Sequence, residues 1–162
     1  MKVYTLRRQQ SLPITQAQAW EFFSDPKNLA LMTPPAYRFR SPAVPLPIFA
    51  GQVMVHTVRV LPFIDMTWLT ELSHVEAPQM FIDQQHLGPY RFWHHRHLFT
   101  PTEQGVEMLD EVHYALPFGP LGQLVHALFV KRQLATLFDF RAEYLRRKFG
   151  KDRGAGMLPA GQ

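Results

Sequence analysis

Three histidines lie within four positions of one short segment of this chain, residues 90–99, together with two arginines and four aromatic residues. The segment has the composition of a β-strand, in which successive side chains point to opposite faces. One face then carries Trp93, His95, His97 and Phe99, a mixture of large apolar and titratable groups. Imidazoles on such a face can recognise a polar ligand, transfer protons or bind a metal. The segment therefore predicts the wall of a cavity or cleft that is partly apolar and partly polar.

A second segment, residues 106–114, is predicted to pair with the first as a hairpin through a loop at 100–105. It places Asp110 among apolar residues, and an isolated buried carboxylate is costly unless it is paired or protonated. We therefore expect a His95–Asp110 pair that fixes the orientation of the imidazole. The predicted register pairs Phe99 with Val106, His97 with Met108, His95 with Asp110 and Trp93 with Val112. The opposite face is expected to meet solvent through Glu107, Leu109, Glu111 and His113.

Three hypotheses account for the histidine–aspartate pair. It could be a satisfied polar pair within the sheet, a recognition patch at the polar end of an apolar cavity, or a general acid–base site. Catalysis, such as enolisation or cyclisation of a polyketide-like substrate, requires His95 or His97 within hydrogen-bond reach of a substrate proton. Metal binding needs a third ligand, for which His56 and His74 on neighbouring strands are candidates. On this basis we predict neither a metal site nor a cofactor.

The composition of the 162 residues restricts the remaining classes. The absence of cysteine excludes disulfides, thiolate zinc sites and cysteine nucleophiles, and no Gly-x-Ser-x-Gly nucleophile motif occurs. No run of about 18 apolar residues predicts a membrane span. The first residues lack the apolar run of a signal peptide, so we expect a cytoplasmic protein. The net charge of +4 comes largely from the end of the last predicted helix, where cations complement the helix dipole, and no nucleic-acid-binding motif accompanies it.

Local signals predict the elements in the first part of the chain. Residues 2–11 alternate as a strand. Thr15 and Gln18 form a capping box that starts a helix. Asp25 caps a second short helix, with Pro26 at its first position. Two short helices are therefore expected directly after the first strand.

The remainder of the chain is predicted as a run of strands followed by one helix. The strands lie near 37–40, 52–60, 66–75, 79–87, 90–99 and 106–114, with breaks such as Leu61-Pro62-Phe63, and their spacing favours antiparallel connections. A long helix is predicted over 120–148, with Gly150 as its C-cap. One domain over residues 1–150 accommodates these elements, and the tail 151–162 is expected to be flexible.

Several stretches of this sequence resemble one known superfamily. They are residues 20–29 with 32–35, residues 88–99, residues 112–114 leading into 117–122, and residues 138–141. Through them the chain resembles the small bacterial ligand-binding branch of the START-like, or SRPBCC, superfamily, related to polyketide cyclase-like and lipid-transport-like proteins. The resemblance implies an α+β helix-grip fold, in which a curved antiparallel sheet wraps around a long C-terminal helix. It implies a shared cavity and not one reaction.

We therefore expect the chain to bind a small or medium-sized hydrophobic molecule, such as a lipid, a quinone or a polyketide-like compound, between its sheet and its last helix. The expected ligand-binding residues are Trp68, Trp93, His95, His97, Met108, Asp110, Tyr114, Leu124, Leu128 and Phe138. Two alternatives stay open. One is a cyclase- or dehydratase-like enzyme in which His95, His97 and Asp110 are catalytic. The other is an interaction module with a filled core.

Overall fold

The structure, a computed structural model, describes residues 1–41, 43–61 and 64–150, with Leu61 described by its backbone alone. The strands are β1 (Tyr4–Leu12), β2 (Gln52–Leu61), β3 (Ile64–Glu76), β4 (Met80–Leu87), β5 (Phe92–Thr102) and β6 (Gly105–Ala115). The helices are α1 (Gln16–Phe23), α2 (Pro26–Leu31), α3 (Gly119–Val125) and α4 (Lys131–Phe149), with a π-helical segment at His126–Val130 and a 3₁₀ turn at Pro35–Tyr37. The predicted tail 151–162 and Pro62 and Phe63 of a predicted break lie outside the described residues.

The six strands form one antiparallel sheet in the order β1-β6-β5-β4-β3-β2. Consecutive strands from β2 to β6 are neighbours, whereas β1 pairs with the last strand. The sheet curves around α4, and Gln10 of β1 donates a hydrogen bond to the carbonyl oxygen of Ala142 in this helix at 3.1 Å. The predicted α+β helix-grip architecture is confirmed.

Both short helices begin where the sequence predicts. The Thr15 hydroxyl accepts a hydrogen bond from the backbone N–H of Gln18, and the Gln18 side chain accepts one from the backbone N–H of Thr15, which completes the capping box. The Asp25 carboxylate accepts a hydrogen bond from the backbone N–H of Lys27, with Pro26 at the first helical position. These local signals therefore decide how the chain enters the helices that cover one end of the sheet.

The register of the β5–β6 hairpin differs from the prediction by two residues. The turn consists only of Glu103 and Gln104, so Thr102 pairs with Gly105, Phe99 with Met108, His97 with Asp110, His95 with Val112 and Trp93 with Tyr114. Gly105 has a φ of +140°, which helps to close so short a turn. Because side chains alternate with a period of two, a shift of two residues leaves every side chain on its predicted face.

The predicted strand at 37–40 is wrong. Pro35–Tyr37 forms a 3₁₀ turn, and Arg38 follows in the left-handed region with a φ of +43°. Arg40 makes an isolated bridge to Thr57. Proline fixes φ near −65° and lacks an N–H, so a proline pair at this point favours a tight turn over a sheet strand.

The predicted single helix over 120–148 is divided by the π segment at His126–Val130, while Gly150 ends α4 as predicted. The side that faces the sheet carries Gly122, His126, Val130, Leu134 and Phe138, each four residues from the next. His126 Nε2 lies 2.8 Å from the Tyr114 hydroxyl, and its ring stacks on Tyr4 at 3.5 Å. Leu124 and Leu128, expected on the cavity wall, are 56% and 60% exposed. Each stands two positions from this buried stripe, about 200° around a helix.

The buried apolar side chains form two clusters on the concave side of the sheet. One gathers around α1, with Leu12, Phe22, Phe23, Phe99 and Leu145, and the other lies under α4, with Trp93, Val112, Tyr114, Leu134 and Phe138. Within the described residues, no helix is both long enough and apolar enough to cross a membrane.

Candidate functional site

A cavity of about 140 Å³ lies between the sheet and α4 and takes side chains from both core clusters. Its apolar walls include Met54 and Val58 of β2, Leu72 of β3, Phe81 of β4 and Leu134 of α4. These positions alternate along their strands, so the inward face of each strand supplies the wall. The cavity therefore occupies the place between sheet and helix that the sequence analysis predicts.

Three aromatic residues form one continuous surface in this cavity. Trp68 of β3 contacts Trp93 of β5 with ring centroids 5.2 Å apart, edge to face, and Tyr90 lies 4.8 Å from Trp93 and 5.6 Å from Trp68. Such rings offer broad, rigid apolar contact. This side of the cavity is therefore rigid, aromatic and apolar.

The polar groups of the cavity are concentrated where β4 and β5 face α4. Asp83 Oδ2 lies 3.1 Å from His97 Nε2 and 3.3 Å from His95 Nδ1. The indole N–H of Trp93 donates to the other oxygen of Asp83 at 3.3 Å. The Asp83 side chain is 17% exposed, whereas His95 and His97 are 5% and 8% exposed. A carboxylate and two imidazoles therefore converge at one end of an otherwise apolar cavity.

Asp110 of β6 lies behind these imidazoles with only 1% of its side chain exposed. His95 Nε2 is 2.9 Å from Asp110 Oδ1, and His97 Nδ1 lies 2.9 Å from the same oxygen. The guanidinium of Arg141 from α4 approaches it at 3.5 Å and is itself buried. We refer to Asp83, His95, His97, Asp110 and Arg141 as the charge cluster.

Within the charge cluster, the pKa values of the two aspartates and of His95 shift in opposite directions. Burial is the largest effect and disfavours every charged form. At Asp110 the positive charge of Arg141 and the hydrogen bond from His95 outweigh burial and hold the pKa well below its usual range. At Asp83 the charge of His95 and the hydrogen bonds from both imidazoles also lower the pKa. At His95 the two carboxylates outweigh burial and raise the pKa. The cluster thus favours aspartates that are ionised and a His95 that carries a proton.

His56 of β2 is a further polar group in the cavity. Its side chain is buried, its ring lies 5.1 Å from that of Phe39, and its Nδ1 atom has no hydrogen-bond partner among the described residues. Burial lowers its pKa, although the charge of Asp83 opposes this effect. The imidazole of His56 is thus kept neutral, with one ring nitrogen available in the cavity.

The outer face of β6 departs from the prediction at one position. Glu111, expected to meet solvent, is only 6% exposed. Its carboxylate accepts a hydrogen bond from Arg7 of β1 at 2.5 Å and pairs with Arg96 of β5 at 2.8 Å. Burial raises the pKa of Glu111, but these two arginines outweigh it and lower the pKa. Its neighbours on both adjacent strands cover it, so an outward direction alone does not make a residue exposed.

Four of the ten predicted ligand-binding residues line the cavity: Trp68, Trp93, His95 and His97. Four others lie behind that lining, since Met108, Asp110, Tyr114 and Phe138 are almost completely buried in the core or in the charge cluster. Burial and the charge of Tyr4 raise the pKa of Tyr114 to about 12. Leu124 and Leu128 lie outside the cavity on the solvent side of the helical segment, as described above.

Three members of the site were not predicted from the sequence: Asp83, Arg141 and the cavity-facing position of His56. Asp83 pairs directly with His95 across β4 and β5, so extending the strand pairing one strand further would have found it. Arg141 belongs to the stripe of α4 that faces the sheet and is 5% exposed. The available signal was its spacing, three residues after Phe138 and four before Leu145, which places an arginine on the apolar side of the helix, where it needs an anionic partner.

The arrangement restricts what the histidines can do in this state. Both ring nitrogens of His95 and both of His97 lie within 3.3 Å of a carboxylate oxygen. The imidazoles are therefore held in fixed orientations, and a ligand in the cavity meets a polarised but compensated surface. That geometry suits recognition of a polar group on a bound molecule.

The fold can be compared directly with solved structures, whereas no protein-family model and no curated protein matches the sequence. Protein CV1439 from Chromobacterium violaceum aligns with a TM-score of 0.67 at 11% identity, over 92% of this chain and 99% of that chain. Ara h 8.0201 aligns with a TM-score of 0.62 at 15% identity, over 90% of this chain and 99% of that chain. Norcoclaurine synthase from Thalictrum flavum, a point mutant with a bound transition-state analogue, aligns with a TM-score of 0.63 at 14% identity, over 91% and 96%. The chain therefore has the helix-grip fold that its resemblance to the START-like superfamily predicts.

Proposed function

We propose that this protein binds a small apolar molecule in the cavity between its sheet and α4. The observation that supports this most directly is the cavity itself, with about 140 Å³ of space inside apolar and aromatic walls. Small-molecule sites are typically concave and mostly apolar, with a few polar groups that fix orientation. The charge cluster supplies such groups at one end. An open cavity counts against the alternative of an interaction module with a filled core.

The size and the walls of the cavity narrow the proposed ligand class. An apolar cavity of about 150 Å³ is large enough for a benzene ring. The edge-to-face surface of Trp68, Tyr90 and Trp93 favours a flat ring over a flexible chain. Among a lipid, a quinone and a polyketide-like compound, we therefore favour the two ring-containing classes, with the ring among the aromatic residues and a polar oxygen near His95.

The test has two parts. Native mass spectrometry of the purified protein, followed by denaturing extraction, identifies any molecule retained. Titration with the apolar dye 1-anilinonaphthalene-8-sulfonate then compares Leu134→Trp, which fills the cavity, with Leu128→Trp, which adds the same ring on the exposed side of the helical segment. We expect Leu134→Trp to lose at least about tenfold in dye affinity, which corresponds to about 1.4 kcal/mol of binding free energy. Leu128→Trp should lose none.

The opposite pattern would contradict the proposal, because it would place dye binding on the exposed face. Val58→Phe reduces the cavity from the sheet side and should repeat the effect of Leu134→Trp. Circular dichroism of each variant ensures that a loss of binding is not a loss of folding.

One observation keeps an enzymatic function as the second candidate. His95 lines the cavity and has a raised pKa, so it could act as a general acid in enolisation or cyclisation once a substrate carbonyl oxygen replaces the Asp83 carboxylate beside its Nδ1 atom. Norcoclaurine synthase shows that an enzyme can have this fold. Once the retained molecule is identified, wild type and His95→Gln can be compared for its turnover. A rate lost in the variant with binding retained would favour catalysis, whereas no turnover by wild type would exclude it for that molecule.

A further inference from the structure

We propose that Asp83, His95 and His97 bind a divalent transition-metal ion such as Zn²⁺ at the polar end of the cavity. One ligand atom from each of the three residues lies within 4.8 Å of the other two. The three side chains come from the adjacent strands β4 and β5, which pair directly at Asp83 and His95. The proposal goes beyond binding of an apolar molecule and does not depend on it.

The distances from the Asp83 carboxylate to the two imidazoles fit a tetrahedral ion. Zinc bonds to histidine nitrogen and carboxylate oxygen are about 2.0–2.2 Å long, so neighbouring ligand atoms around one ion are about 3.3 Å apart. Asp83 Oδ2 lies 3.1 Å from His97 Nε2 and 3.3 Å from His95 Nδ1. The carboxylate therefore needs little movement relative to either imidazole to share an ion with it.

The surroundings of these atoms resemble the outer shell of a metal centre. A histidine that binds a metal commonly donates its other ring N–H to a carboxylate, which fixes the tautomer and the ring orientation. Asp110 stands in that position for His95, whose Nε2 lies 2.9 Å from Asp110 Oδ1 in a hydrogen bond, whereas His97 Nδ1 lies 2.9 Å from the same oxygen without hydrogen-bond geometry. Arg141 in turn compensates Asp110 at 3.5 Å. A single buried aspartate thus orients His95 through a hydrogen bond and contacts His97, on the side away from Asp83.

The Asp83 carboxylate is oriented in the same way. Its Oδ1 atom accepts a hydrogen bond from the Trp93 indole at 3.3 Å, which directs Oδ2 towards the two histidines. All three candidate ligands are therefore positioned by other side chains. Such positioning distinguishes them from a chance cluster of exposed polar groups.

The donor set and the cavity indicate which ions would fit. Two imidazoles and one carboxylate suit zinc and other first-row transition metals, whereas magnesium and calcium prefer oxygen ligands. Three protein ligands leave a coordination position open towards the cavity. His56 lines the same cavity with an unpartnered Nδ1 atom, but it is not among the residues whose ligand atoms lie within 4.8 Å of one another, so it would have to move to bind the ion.

The test uses the full-length, tag-free protein after treatment with a chelator, without any apolar ligand. Isothermal titration with Zn²⁺ gives the stoichiometry and the affinity, and the visible absorption of Co²⁺ reports its coordination. We expect one ion per chain, no binding of Mg²⁺, and a tetrahedral Co²⁺ spectrum. Asp110→Asn should weaken Zn²⁺ binding by about 10- to 100-fold, because the His95 imidazole loses the carboxylate that orients it. His97→Gln and Asp83→Asn should weaken it further.

His94→Gln is the matched control, because His94 lies on the same strand but on the opposite face of the sheet. It should leave the affinity unchanged. Absence of Co²⁺ absorption and of Zn²⁺ heat in wild type would overturn the proposal, as would an equal loss in His94→Gln and His97→Gln. Because the metal is the only probe, failure here leaves the dye experiment of the proposed function unaffected.

Discussion

Removal of the Asp110 carboxylate should be among the most destabilising single changes in this protein. Asp110 is 1% exposed and lies within 3.5 Å of His95, His97 and Arg141. Asp110→Ala leaves the guanidinium of Arg141 buried without the carboxylate that compensates it. Deleting one partner of a buried ion pair costs about 3–5 kcal/mol, because an uncompensated charge stays in the interior. We expect a loss of unfolding free energy in this range.

Two effects decide where in that range the loss falls. The His95 N–H also loses an acceptor at 2.9 Å, and a buried donor without a partner costs about 1–3 kcal/mol. This cost overlaps with the first, since His95 can release its proton and become neutral. Asp83 remains as a partner of both imidazoles. The loss should therefore lie near the lower end, at about 3 kcal/mol.

Urea unfolding with a chelator present, followed by tryptophan fluorescence, measures this loss in the metal-free protein. Asp110→Ala, Arg141→Met and the double variant form a cycle, and we expect the double variant to be more stable than the sum of the single losses predicts, by about 0.5–3 kcal/mol. Asp139→Ala removes an exposed carboxylate of α4 and should cost less than about 1 kcal/mol. A midpoint for Asp110→Ala equal to that of wild type, or strictly additive losses, would refute the reasoning.

Two further predictions concern pH and a turn. Burial lowers the pKa of His95, but Asp83 and the Asp110 contacts outweigh burial and raise this pKa in the folded state. The protonated imidazole therefore stabilises the fold. Its contribution to the free energy of unfolding is complete below about pH 6.5 and is lost as the pH rises through the folded pKa. In the metal-free protein, the urea midpoint should fall as the pH rises above about 6.5, and it should fall less in His95→Gln. An equal dependence of the midpoint on pH in both proteins would count against the pairing of His95 with the two aspartates. Gly105→Ala would place a Cβ atom 2.2 Å from the Leu12 carbonyl oxygen at a φ of +140°. It should cost about 1–3 kcal/mol, more than Gly51→Ala, where a positive φ of +85° meets no neighbouring atom; equal thermal shifts would show that the contact does not matter.

Features that depend on a few neighbouring residues were predicted well from the sequence. The capping box at Thr15 and Gln18 and the start of α2 at Asp25 need only local hydrogen bonds, and both are present. The inward direction of His95 and His97 also follows from local alternation, which a register error of two residues does not change. The antiparallel connection of the strands and the order of the elements could therefore be predicted from the sequence.

Features that depend on residues far apart in the sequence were not predicted. The site needs Asp83, and a lone carboxylate in a strand gives no sign of which neighbour it faces until β4 is paired with β5. Leu124 and Leu128 have the apolar character of a buried stripe, but the helical segment turns its Gly122 and His126 side to the sheet instead. Whether an apolar residue is buried depends on how its helix is rotated, and tertiary packing sets that rotation.

The pairing of the first strand with the last has a consequence for how the chain folds. The contacts of His95 and His97 with Asp83 and Asp110 close loops of about 15 residues, whereas Arg7 and Glu111 are 104 residues apart. At about 0.6 kcal/mol for each doubling of loop length, bringing β1 to β6 costs roughly 1.7 kcal/mol more in chain entropy than closing a contact within the β4–β6 meander. The meander can therefore form early, with Asp83, His95, His97 and Asp110 already together. During synthesis on the ribosome, β1 is made before the other strands, and β6, the strand with which it pairs, is made last. β1 therefore stays unpaired in the sheet while the strands between them are synthesised.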